Sequence, residues 1–213
     1  MEKNTNYSRR ITFVRHGETF GNKSMLMLGQ DDSSLSQLAP EGKQQATEVS
    51  ELVKGYQFDE LFCSPLMRTR ETSRIVLQDR KLTTTYDDRL MELNFGKVNG
   101  LSIGDYMKRY QLDPKDWWLK TMNQPFEGGE SILDLLKRVS GFVNDLLGKN
   151  WHHVLVVSHA NPLKMFLSSL TGLDPEEAIM MRIKPCTAYN FDLDSEGKWQ
   201  ATQLYPVDKA EGK

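Results

Sequence analysis

The chain has 213 residues and a formal net charge of −2. This length predicts a single domain, 1–213, that is large enough to bury a full core. The net charge is close to zero and the basic residues form no stripe, which argues against a nucleic-acid partner. The apolar runs are only a few residues long, whereas a membrane-spanning helix needs about 20 apolar residues, which argues against a membrane partner.

The first segment and the cysteines predict a cytoplasmic location. Residues 1–10 are polar and lack the apolar stretch of a secretory signal. The two cysteines, Cys63 and Cys186, are fewer than a secreted disulfide framework normally carries. Cys63 lies in a predicted buried strand with no glycine-rich loop after it. We therefore interpret both as reduced thiols, and we reject a nucleophilic role for Cys63.

The first predicted strand covers 11–14, a run of β-branched and aromatic residues. Arg15 and His16 follow it directly, and Gly17 marks the point where the backbone leaves the sheet. In a parallel α/β sheet, ligands bind outside the carboxyl ends of the strands, so these two side chains are candidates for a functional site. Taken alone, the pair would more often be a solvated arginine and a hydrogen-bonded histidine in a surface loop.

A second strand is predicted over 60–63, a short and mostly apolar run. Ser64 and Pro65 follow it and predict the N-cap and the first residue of a helix. Arg68 then falls in the first turns of that helix, again at the carboxyl end of a strand.

A third strand is predicted over 154–157, a continuous apolar run typical of a parallel strand that is covered on both faces. It ends at Ser158 and His159, before a helix that opens at Ala160. Three strand ends therefore bring two arginines and two histidines to one rim of the sheet.

The fold class follows from the alternation of strands and helices. Apolar residues at helical spacing predict helices over 41–54 and 131–147, the second stopped by Gly148. The alternation predicts an α/β domain with a mostly parallel central sheet and helices on both faces. A small helical or irregular insertion at about 98–127 interrupts it. We expect most of the aromatic and methionine side chains of the insertion to pack onto the domain: Tyr106, Tyr110, Trp117, Trp118, Met122 and Phe126.

Five motifs occur in a fixed order along the chain: Arg15-His16-Gly17-Glu18-Thr19 with Asn22, the segment 64–72, Leu90-Met91-Glu92, Gly128-Gly129-Glu130-Ser131, and Ser158-His159. This series resembles the histidine phosphatase superfamily, also called the phosphoglycerate mutase-like family. The resemblance runs from the first strand to the last apolar segment, and the ordered occurrence of five motifs makes it specific.

The resemblance implies a phosphatase that hydrolyses phosphate monoesters of small molecules through a phosphohistidine on His16. A neutral imidazole suits this role, because its ordinary pKa of about 6.5 leaves much of it unprotonated near neutrality. Arg15 and Arg68 would bind phosphate oxygens bidentately. Asn22 would contact the phosphate, and His159, in its charged form, would donate a hydrogen bond to the phosphoryl group.

By the same resemblance, Glu92 is the general acid that protonates the leaving oxygen and then acts as a base. The residues alone leave an alternative open, a surface carboxylate paired with Arg89 or Lys97. Glu18 and Glu71 are more simply explained as helix-terminal or salt-bridging carboxylates.

Two departures from the family pattern lie near the site: Ala160 stands where glycine is common, and Lys164 where arginine is frequent. No cofactor and no metal ion are implied, because no close set of ligands is present and two arginines would repel a cation. The alternatives are a phosphoglycerate mutase, which usually carries a longer insertion between the acid and the second histidine, and a non-catalytic phosphate-binding module.

Overall fold

The computed structural model describes residues 7–113 and 117–206, and for residues 117–119 it describes the backbone alone. Six strands form one sheet in the order β3-β2-β4-β1-β5-β6. β1 pairs in parallel with β4, β4 with β2, and β2 with β3. β5 pairs antiparallel with β1, and β6 pairs antiparallel with β5. The strands are β1 (Arg9–Arg15), β2 (Glu60–Cys63), β3 (Thr84–Tyr86), β4 (His153–Ser158), β5 (Ala188–Leu193) and β6 (Trp199–Tyr205).

Eight α-helices lie in the described part of the chain. They are α1 (Phe20–Lys23), α2 (Pro40–Leu52), α3 (Met67–Leu77), α4 (Ile103–Arg109), α5 (Trp117–Asn123), α6 (Ile132–Leu147), α7 (Ala160–Thr171) and α8 (Pro175–Met180). The predicted α/β class, with a mostly parallel sheet, is confirmed.

The helices cover the sheet on both faces because alternate residues of each strand point to opposite sides. In β1, Ile11 and Phe13 belong to the larger core cluster, which includes side chains of α6 and α7. Val14 belongs to the second cluster, which includes side chains of α2 and α3. The central strands are therefore mostly apolar, and the polar Thr12 in the middle of β1 is buried and hydrogen-bonded to His153 and Asn190.

One predicted helix start is wrong. Helix α3 begins at Met67 with Leu66 as its N-cap, and not at Ser64 and Pro65. The Ser64 hydroxyl lies 2.8 Å from Nε2 of His159 and so makes a long-range contact in place of the predicted cap. By contrast, Ser131 caps α6 through a reciprocal pair of hydrogen bonds with Asp134.

The predicted insertion contains α4 and α5. Tyr106, Met122 and Phe126 are buried in the larger core cluster, where the rings of Phe126 and Phe95 lie 5.1 Å apart at 90°. These side chains thus pack onto the domain, as interpreted, whereas Tyr110 is 44% exposed. The side chains of Trp117 and Trp118 lie outside the described part of the chain.

Both cysteines are free, as predicted, and both are buried. Burial raises the pKa of Cys63 and that of Cys186 to about 12, so neither thiol ionises readily. In the described ranges no helix combines the length and the apolar character that crossing a membrane requires.

Candidate active site

The sheet order brings the predicted site residues together. β4 lies between β1 and β2, so the carboxyl ends of these three parallel strands are neighbours. His16 follows β1 and His159 follows β4, and their ring centroids are 5.1 Å apart. A cavity of about 180 Å³ opens beside them. Its lining includes Arg15, His16, Asn22, Leu26, Met27, Leu28, Gly29, Arg68, Glu92, Phe95, Ile103, Ala160, Asn161 and Lys164.

His16 is held as a neutral imidazole with one defined tautomer. Its Nδ1 lies 2.7 Å from the carbonyl oxygen of Gly17, an acceptor, so Nδ1 carries the proton and donates it. The other ring nitrogen, Nε2, therefore keeps its lone pair. Burial lowers the pKa of His16 well below 6.5, and the charges of Arg68 and Arg15 lower it further.

The turn after His16 requires glycine because two backbones cross there. A Cβ on Gly17 would lie 2.3 Å from the carbonyl oxygen of Gly42, and one on Gly42 would lie 2.1 Å from that of Glu18. The Gly17 amide also donates to the hydroxyl of Thr72 at 3.1 Å. This packing fixes the carbonyl that orients the His16 ring.

Arg68 is 1% exposed, and four of its five N–H groups are already bound by the protein. Nε donates to Nδ1 of His159 at 3.1 Å, and Nη2 donates to Gly29 O at 2.6 Å. Nη1 donates to Asp31 O at 3.1 Å and to Ser36 Oγ at 2.6 Å. One N–H of Nη2 is left, so this arrangement does not provide the predicted bidentate grip on phosphate.

His159 is neutral in this arrangement, contrary to the expectation of a charged ring. Because Arg68 Nε donates to its Nδ1, the proton must lie on Nε2, which then donates to Ser64 Oγ at 2.8 Å. Burial lowers the pKa of His159 well below 6.5, and the charge of Arg68 adds to this effect. His159 therefore orients the Arg68 guanidinium.

Arg15 is the guanidinium with the clearest unused donor. Its Nη1 donates to the carbonyl oxygen of Ile183 at 2.5 Å. Its Nε is buried and has no hydrogen-bond partner among the residues that the structure describes. A buried N–H without a partner is costly, and an anion in the cavity would satisfy it.

Glu92 belongs to the cavity and not to either predicted surface pair. Arg89 binds Asp87 and Asp145 instead, and Lys97 binds Glu127. The Glu92 side chain accepts a hydrogen bond from the amide of Leu93 at 2.8 Å.

The backbone of Glu92 is fixed by two side chains that sequence reasoning missed. Arg138 donates to the Glu92 carbonyl at 2.9 Å, and Gln30 donates to it at 3.1 Å. Arg138 is itself paired with Glu130 of the fourth motif at 2.7 Å. The sequence pattern does not single out Arg138, because α6 carries three other charged residues, Asp134, Lys137 and Asp145.

Asn22 lines the cavity with its amide group oriented. Its side-chain oxygen accepts from the Thr19 amide at 3.1 Å, which leaves the NH₂ group as the donor for a ligand. The predicted salt-bridge role of Glu71 is present, since it pairs with Lys43 at 3.0 Å.

The two departures from the family pattern, Ala160 and Lys164, have local explanations. Ala160 is the first residue of α7 and has a negative φ, so its methyl group is tolerated. Lys164 donates from Nζ to the carbonyl oxygen of Ile179 at 2.8 Å, and burial lowers its pKa to about 8. Asn161, beside Ala160, also lines the cavity and was not predicted.

Three buried histidines predict a loss of stability in acid. Burial lowers the pKa of His153, at the other end of β4, to about 3, and the pKa values of His16 and His159 are also lowered. Below about pH 6.5 the unfolded chain takes up protons on these rings while the folded protein does not. We expect the free energy of unfolding to fall there by up to about 4 kcal/mol per pH unit for the three rings together, and to be insensitive to them above about pH 7.

Urea unfolding at several pH values measures this effect. His153→Gln should reduce the slope by about one third, since one of three rings is removed. Equal stability at about pH 7 and about pH 5 would contradict the neutral assignments.

Known proteins resemble this chain over most of its length. The sequence model of the histidine phosphatase superfamily, branch 1, matches residues 11–205. Phosphoserine phosphatase 1 of Hydrogenobacter thermophilus is 30% identical over 78% of this chain and 77% of that protein. A probable phosphoglycerate mutase of Yersinia enterocolitica is 32% identical over 91% and 88%. The crystal structure of a putative alpha-ribazole-5'-P phosphatase from Escherichia coli matches with a TM-score of 0.80 and 27% identity, covering 92% of this chain and 95% of that one.

Proposed function

Because the chain belongs to the histidine phosphatase superfamily and is a metal-independent phosphatase, we propose that it hydrolyses small phosphate monoesters through a phosphohistidine on His16. The observation that carries this proposal is the hydrogen bond from His16 Nδ1 to Gly17 O at 2.7 Å. It leaves Nε2 as an unprotonated nucleophile in a cavity that also contains two guanidinium groups.

Phosphate binding comes first. The buried Nε of Arg15, the remaining N–H of Arg68 and the NH₂ group of Asn22 are the donors that meet the dianion. Phosphoryl transfer depends mainly on positioning and on stabilising charge, and permanently charged guanidinium groups supply both. His159 acts through Arg68, which it orients.

The chemistry then proceeds in two displacements. In the first, His16 Nε2 bonds to phosphorus, the ester P–O bond breaks, and Glu92 gives a proton to the leaving alkoxide. In the second, Glu92 takes a proton from water, whose oxygen bonds to phosphorus as the P–N bond breaks. Inorganic phosphate leaves, and both side chains return to their starting state.

A small substrate fits the dimensions of the cavity. Its volume of about 180 Å³ is below the range of about 300–1,000 Å³ that is usual for drug-sized ligands. The names of two relatives, a phosphoserine phosphatase and an alpha-ribazole-5'-P phosphatase, also refer to small phosphoesters.

We place the activity in a single domain, 1–213, in which the insertion at about 98–127 is the cap over the phosphate pocket. We assign it to the cytoplasm, which suits the two free thiols.

Phosphoglycerate mutase activity is the second candidate. It is favoured by relatives that carry this name, among them the protein from Yersinia enterocolitica. The span from Glu92 to His159 is shorter than is usual in mutases, which must exclude water from the phosphohistidine. Phosphate exchange between phosphoglycerate isomers that outpaces release of inorganic phosphate would establish the mutase.

Turnover of a generic aryl phosphate, with and without EDTA, tests the proposed function. We expect the purified protein to release phosphate at the same rate in both conditions, because the attacking group is an imidazole and not a metal-bound water. Loss of turnover in EDTA that added metal restores would contradict the proposal. Binding of phosphoesters without any turnover would favour a non-catalytic module.

A further inference from the structure

The cavity has a second set of lining residues, which are large and apolar: Leu26, Met27, Leu28, Phe95 and Ile103. None of them carries a group that could pair with a charge. They come from the loop after α1, from the segment after Glu92 and from the start of α4, and not from the strand ends that supply the charged residues. The two sets therefore have separate structural origins.

A short backbone ladder joins two of these segments. The Met27 amide donates to Leu101 O, and the Gly100 amide donates to Met27 O, both at 2.9 Å. Leu26 and Ser102 form an antiparallel bridge. The loop after α1 and the start of α4 thus form one unit. We use the name apolar wall for the lining residues of this unit together with Phe95.

The side chains of the apolar wall are packed against glycine on their outer side. A Cβ on Gly21 would lie 2.6 Å from Cδ1 of Leu28. Gly29 has a φ of +51°, and a Cβ there would lie 3.1 Å from a ring carbon of Phe95. Leu28 and Phe95 therefore pack closely against the backbone at Gly21 and Gly29.

The apolar surface continues to the mouth of the cavity. Ile103 is 40% exposed, and beside it Met25, whose carbonyl accepts from the Ile103 amide at 3.3 Å, is 71% exposed. Met25 has a φ of +53°, in the left-handed region that is common just past the end of a helix, and it directly follows Ser24, the C-cap of α1. Exposed apolar side chains that adjoin a pocket mark a surface for an apolar ligand group.

The cations of the cavity lie outside the apolar wall. Arg15, Arg68 and Lys164 belong to β1, α3 and α7 and line other parts of the same cavity. A substrate whose alcohol carries a carboxylate would need a cation beside that carboxylate, and the apolar wall has none.

We infer that the preferred substrates are phosphate monoesters of alcohols with an apolar group about the size of a phenyl ring, which packs against the apolar wall. This inference rests on the proposed function, since it concerns the alcohol part of the same substrate. The binding free energy of the apolar group comes from the surface that it removes from water.

Phenethyl phosphate and O-phosphoserine test the inference, because both are esters of primary alcohols with chemically similar leaving oxygens. We expect kcat/KM for phenethyl phosphate to exceed that for O-phosphoserine by about tenfold or more, the effect of a few methylene groups in an apolar pocket. A preference for O-phosphoserine would overturn the inference and leave the proposed function intact.

Ile103→Ser removes one apolar side chain from the wall and should lower this preference by about tenfold. Leu133→Ser is the matched control, since Leu133 is 41% exposed and lies on α6 away from the cavity lining. An unchanged preference in Ile103→Ser, or an equal loss in Leu133→Ser, would contradict the assignment of the wall.

A binding measurement tests the inference about the apolar wall separately from the proposed function. Phenethylphosphonate and ethylphosphonate cannot be hydrolysed, so their dissociation constants are independent of turnover. We expect the phenethyl compound to bind about tenfold more tightly, and Ile103→Ser to remove most of that difference. If neither ester is hydrolysed but the phenethyl phosphonate still binds more tightly, the proposed function is wrong and the inference about the apolar wall is supported. If the two phosphonates bind with equal affinity, the inference about the apolar wall is wrong.

Discussion

We expect His16→Ala to lower kcat by a factor on the order of 10⁶, the size of loss seen when an enzyme loses its nucleophile. Nε2 of His16 is the one atom that we assign to attack phosphorus, and alanine has nothing to replace it. The variant should still bind phosphonates, since Arg15 and Arg68 remain in place. Steady-state kinetics with an aryl phosphate, together with calorimetry for binding, measure both effects.

His152→Ala is the control, because His152 is exposed, directly precedes β4 and does not line the cavity. It should keep the rate of the original protein. A His16→Ala variant that retains more than about one hundredth of kcat would contradict the assigned nucleophile, since a positioning role alone costs less than covalent catalysis.

Arg68→Lys should lower kcat/KM by about 10²- to 10³-fold although it preserves the charge, comparable to the loss of one donor that stabilises a transition state. The Arg68 guanidinium holds His159, Gly29 and Ser36 at once, and an ammonium cannot reproduce that planar geometry. We also expect the variant to unfold at lower urea concentration, because buried acceptors lose their donors at a cost of about 1–3 kcal/mol.

Arg70→Lys serves as the comparison. Arg70 lies two residues further along α3, is exposed, and stacks over the ring of Tyr86 at 5.3 Å. Its replacement should change neither kinetics nor stability appreciably. Rates for Arg68→Lys within a factor of about three of the original protein would show that charge alone suffices at this position.

Much of the fold and the location of the site could be predicted because they depend on local patterns. The runs 11–14 and 154–157 were predicted as strands of a doubly covered sheet, and each is followed after one residue by a histidine, His16 or His159. The glycine after His16 indicated a turn, and the structure gives its reason as the close approach of Gly42.

The contacts that define the site could not be read in this way, because they join residues that are distant in the chain. Arg138 fixes the Glu92 segment from 46 residues away. Ser36 binds Arg68 through a loop whose path depends on the packing around it. Ile103 lines the cavity although the aromatic residues nearby pack into the core.

The protonation of His159 shows the same limit. A sequence motif identifies the residue but does not show which atoms its side chain contacts. In the structure, Nδ1 of His159 accepts a hydrogen bond from Arg68. The side chain expected to be charged is therefore neutral, and its contribution passes through the arginine. The start of α3 differs from the prediction for a related reason, since the Ser64 hydroxyl contacts His159 instead of capping the helix.

Trapping the phosphorylated enzyme tests the central claim most directly. The protein would be mixed with an aryl phosphate, quenched within the first turnover under alkaline denaturing conditions, and digested for mass spectrometry. We predict one added phosphoryl group on the peptide that contains His16, and its absence in His16→Ala. Turnover with no adduct, or with the phosphoryl group on another residue, would contradict the account.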